Sequence, residues 1–99
     1  MTKRESSIKR IEEKFKEMEN EPMTWDCLDR LLNLFVEAMN VLSIVEFIRW
    51  AEKMDYTQDT IKNYFIVGTM KKPFEGKVSP GKVNVILFFD WSILTMDVL

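Results

Sequence analysis

Histidine is absent from this chain of 99 residues. That removes the commonest general base, the commonest metal ligand and the base of the usual nucleophile–base pairs. Cysteine occurs once, at Cys27. One thiol excludes an internal disulfide and a cysteine-based zinc site within a single chain. The three glycines, Gly68, Gly76 and Gly81, are too few and too scattered to form a phosphate-cradling loop. No apolar run approaches the roughly 20 residues a bilayer crossing needs, so no membrane partner is expected. The first residues, MTKRESSIKR, carry charge without an apolar stretch behind it and do not read as a secretory signal. These absences predict a non-enzymatic protein of the cytoplasm, with no catalytic residue, no metal site and no cofactor.

What is present suffices for one domain over residues 1–99. An apolar fraction of 46% can fill a single core, although chains of this size are only marginally self-sufficient. Net charge is −2, but its distribution is uneven. Residues 1–23 are neutral, 24–56 carry −3, 57–83 carry +3 and 84–99 carry −2. Lysine outnumbers arginine ten to four, and alanine appears twice. This bias resembles that of proteins from AT-rich genomes, including phages and archaeal viruses; for a viral protein the cytoplasm would be the host's.

Four helices are predicted in order. Thr2 and Glu5 have capping-box spacing at the start of the first, which runs to about Glu19. Its apolar stripe is Ile8, Ile11, Phe15 and Met18, spaced 3, 4 and 3. That stripe fits packing on its own domain or, at coiled-coil spacing, against a second copy; the expectation is a homodimer through these four residues and the C-terminal segment. Asn20-Glu21-Pro22 ends the helix. Thr24 caps a second helix, Trp25 to about Met39, whose wide stripe includes Leu28, Leu31, Leu32 and Phe35. Cys27 reads as a small buried hydrophobe between two acids. Ser43 and Glu46 form a second capping box for a helix from Ile44 to about Met54, in which Trp50 is assigned to the core. Asp55-Tyr56 is a turn. Thr57 caps a fourth helix, Gln58 to about Lys71, with Ile61 and Phe65 inward. Gly68 implies a close backbone approach or an early loss of helix.

Beyond Pro73 the reading changes to strands. Phe74 to Val78 is a short strand, Ser79-Pro80-Gly81-Lys82 a type II turn, and Val83 to Phe88 an apolar return strand. Asp90-Trp91-Ser92 is a break, and Ile93 to Leu99 reads as a further strand.

The order helix, turn, helix, hairpin over residues 25–88 resembles a winged helix-turn-helix domain. The matching stretches are Ser43–Met54, Thr57-Gln58-Asp59-Thr60-Ile61-Lys62-Asn63-Tyr64, and Lys77-Val78-Ser79-Pro80-Gly81-Lys82-Val83. The chain departs from the pattern at Gly68, where many members place leucine, and at Lys72-Pro73, where many place glycine. The resemblance implies an α+β fold. It would be mainly helical, with an extra helix at 1–20, a short strand at Asn40-Val41-Leu42, a C-terminal β-hairpin wing and an extension at 89–99. It also implies double-stranded DNA as the partner and transcription regulation as the role, with the fourth helix in the major groove. Gln58 and Asn63 would reach base edges, and Thr57 and Thr60 would hold phosphate oxygens. Lys62, Lys71, Lys72, Lys77 and Lys82 would neutralise the backbone. The alternative is a non-enzymatic protein-interaction module, such as a viral accessory protein; the net negative charge and the apolar C-terminus favour it.

Overall fold

The computed structural model describes residues 2–71 and 79–96. All of their secondary structure is helical: α1 Lys3–Met18, α2 Trp25–Val41, α3 Ile44–Lys53, α4 Gln58–Lys71, α5 Pro80–Phe88 and α6 Trp91–Leu94.

The first four helices begin where short polar side chains can hold the free backbone donors. The Thr2 hydroxyl accepts from the Glu5 N–H, and the Thr24 hydroxyl from the Cys27 N–H, both at 3.1 Å. At α3 the box is complete: Glu46 N–H donates to Ser43 Oγ at 3.3 Å, and Ser43 N–H donates back to Glu46 Oε1 at 3.1 Å. Thr57 accepts from the Thr60 N–H at 3.2 Å. The turn after α3 is tight because Asp55 takes a left-handed conformation, φ 65°. That lets Asp55 N–H reach Glu52 O at 3.0 Å and Tyr56 N–H reach Ala51 O at 2.9 Å. This is a Schellman cap with aspartate where glycine is usual.

Phe35 of α2 is fully buried and organises the core. The rings of Phe15, Tyr56, Phe47 and Phe65 surround it at 5.2, 5.2, 6.4 and 6.4 Å between centroids. Each approach is tilted or edge-on, as ring quadrupoles favour. Trp50 joins Phe15 and Phe47, and its indole N–H donates to Glu12 Oε1 at 2.9 Å. Cys27 is buried, as its neighbours implied. Gly68 sits inside a continuous α4 because the Leu32 side chain of α2 occupies the space a Cβ would need.

Two expectations are overturned. Asn40 and Val41 continue α2, with Leu42 as its C-cap, so no strand forms there. The larger correction is the α+β fold itself. Among the described residues there is no strand and no sheet. Ser79-Pro80-Gly81-Lys82 is not a type II turn but the opening of α5. The Ser79 hydroxyl accepts from the Lys82 N–H at 3.3 Å, and Pro80 stands at the first helical position, where its missing N–H costs nothing. Val83 to Phe88, read as a return strand, is the body of that helix, with Val83, Ile86 and Leu87 buried. The expected first wing strand, Phe74 to Val78, lies outside the described residues. Ser92 to Leu94, also expected as break and strand, form a helical turn instead. Asp90 caps it by accepting from the Ser92 N–H at 2.9 Å and the Ser92 hydroxyl at 2.8 Å. Those two donors lower the Asp90 pKa from its ordinary value.

Candidate interaction surface

Six of the nine sequence-predicted DNA contacts lie in α4, at its N-cap or in α5 with their side chains described, and the fold uses several of them internally. Gln58 opens α4. Its amide NH2 donates to the carbonyls of Leu87 at 3.1 Å and Phe89 at 2.7 Å, and its carbonyl accepts from the Trp91 N–H at 3.4 Å. The amide therefore ties α4 to the α5–α6 corner and is not presented to a base edge. Trp91 strengthens the same corner: its ring is buried and its indole N–H donates to Ile86 O at 2.6 Å.

Lys82 is spent in the same way. Its ammonium donates to the carbonyls of Met39 and, at 2.7 Å, Leu42. Those groups end α2, where unsatisfied carbonyls and the negative end of the helix dipole favour a cation. The lysine read as a phosphate contact is thus a cap between α5 and α2. Lys62 is half-buried, with its ammonium 5.0 Å from the centre of the Phe88 ring, a cation–π contact between α4 and α5. Thr57 and Thr60 bond each other through their hydroxyls at 2.9 Å. Asn63 is exposed. Lys71 ends α4, while Lys72 and Lys77 lie outside the described residues. Of the nine residues, then, two are committed to the fold, one caps α4 and another bonds that cap, one sits over an aromatic ring, and one is a solvent-facing amide; the other three are the lysines at 71, 72 and 77.

Large apolar side chains are exposed on this surface instead. Ile66 and Val67 of α4, Phe88 and Phe89 at the end of α5, and Ile93 and Met96 in and after α6 are each 42–65% exposed. Phe88 lies over Lys62, and Ile66 follows Lys62 by one turn on the same side of α4, whereas Val67, one residue further on, turns away from α5. The sequence reading missed this surface because it placed Phe88 at the end of an apolar return strand. The signal that could have found it is Ser79-Pro80, which is N-cap and first helical residue as readily as turn.

The predicted dimer stripe on α1 is covered by the chain itself. Ile11 and Phe15 are fully buried or nearly so, and Ile8 and Met18 pack half-buried at the edge of the core. A cleft of about 550 Å³ lies between α1 and the α3–α4 turn, with Phe15 and Tyr56 among its walls. Lys9, Lys16 and Lys53 balance Glu12, Glu13 and Glu19 around it, and Glu12 is already bonded to Trp50. Burial raises the Tyr56 pKa above its ordinary value. Among the described residues no three histidine, cysteine or carboxylate side chains cluster as a metal site would require, and no helix is long and apolar enough to cross a membrane. No family model, no curated protein and no solved structure matches this chain.

Proposed function

We propose that this chain is a non-enzymatic protein-interaction module whose binding surface is the exposed apolar face of α4, α5 and α6. One observation carries the reading. Five large apolar side chains in and beside α4, α5 and α6 (Ile66, Phe88, Phe89, Ile93 and Met96) stand in solvent, while Gln58 and Lys82, two of the expected duplex contacts, are bonded inside the fold. Large exposed apolar patches on small domains mark protein contacts. A duplex, by contrast, is held by cations free to meet phosphate, and Lys82 is not free.

A second reading is favoured by a specific feature. The helices α3 and α4 follow one another across the short Asp55 turn, the order a helix-turn-helix would have, and Asn63 is exposed on the second. Under that reading α4 would meet duplex DNA and the role would be regulatory. The two are separated by titrating full-length protein into a pool of random duplexes at two salt concentrations. A parallel selection uses the immobilised protein and a displayed random-peptide library. The protein-module reading expects no salt-dependent duplex binding, and it expects enrichment of apolar peptides that is lost in Phe88→Asp. Duplex binding that weakens with salt and with Lys62→Ala would contradict it.

A further inference from the structure

We draw no further inference here: the strongest candidate, the cleft between α1 and the α3–α4 turn, sets Lys9, Lys16 and Lys53 against Glu12, Glu13 and Glu19, which leaves no charge to select a ligand, and nothing in the structure shows what covers it.

Discussion

The body formed by α1–α4 and the α5–α6 segment are stabilised in different ways. The body is held by apolar volume: interlocked rings around Phe35, an uninterrupted α2 stripe, and Gly68 admitting Leu32. The α5–α6 segment contributes Val83, Ile86, Leu87 and Trp91 to that core. It is also fastened by polar links reaching far along the chain, from Gln58 to Phe89 and from Lys82 to Leu42. Its outer side stays apolar and wet. A volume-packed body tolerates little change in shape, whereas a clipped segment depends on a few directional bonds and leaves a face for a partner.

Breaking the body should have the largest effect. Phe35→Ala removes the ring touched by four others and should cost about 3–5 kcal/mol in urea unfolding. A loss below about 1 kcal/mol would mean that Phe35 is not central. Gly68→Val should follow at about 1–3 kcal/mol, since its side chain must enter space held by Leu32. An unchanged unfolding midpoint would argue against that close approach.

The clips should matter less to stability and more to the segment. Lys82→Met keeps the stem but leaves the Met39 and Leu42 carbonyls without their cation, and should cost about 1–2 kcal/mol. Amide hydrogen exchange should quicken in residues 83–88 before it does in α2. Uniform acceleration across the chain would contradict a local clip.

The smallest effect is set by pH. The Arg4 guanidinium, then the Ser43 N–H and hydroxyl, hold the exposed Glu46 carboxyl at about 2, below its ordinary 4.5. A carboxylate with a depressed folded pKa stabilises the fold above its unfolded value, and that contribution disappears as pH falls through the folded one. Wild type should therefore lose stability between pH 4.5 and about 2 more steeply than Glu46→Gln. Added salt should narrow the difference, because the site is open to solvent. Identical slopes for the two proteins would remove Glu46 from the acid response.

The two regions also differ in how much of them the sequence discloses. In the body, Thr2, Thr24, Ser43 and Thr57 mark helix starts by chemistry that acts within three residues, and the inward side chains recur at helical spacing. The described bounds of α1 to α4 accordingly lie within two residues of those predicted, apart from the strand expected at Asn40 to Leu42. Val83 to Phe88 is different. Its apolar residues fill nearly every position, so neither a period of two nor one of 3.6 stands out. Ser79-Pro80-Gly81 suits a turn and a helix start equally well. What decides for helix is long-range: Ile86 and Leu87 are buried against the body, while Asn84 and Phe88 face outward. The candidate surface was hidden for a related reason. Gln58 and Lys82 look like solvent-facing contact residues until partners 31 and 40 residues away are in place.

The central claim is that this chain meets its partner through the apolar side of α4, α5 and α6. Amide NMR spectra of uniformly 15N-labelled wild-type protein, recorded as an apolar peptide enriched by the library selection is added, test it most directly. Shifts that grow with peptide are expected at Ile66, Phe88, Phe89, Ile93 and Met96, with α1 unchanged. Shifts confined to α1, or a selection that enriches no peptide, would contradict it.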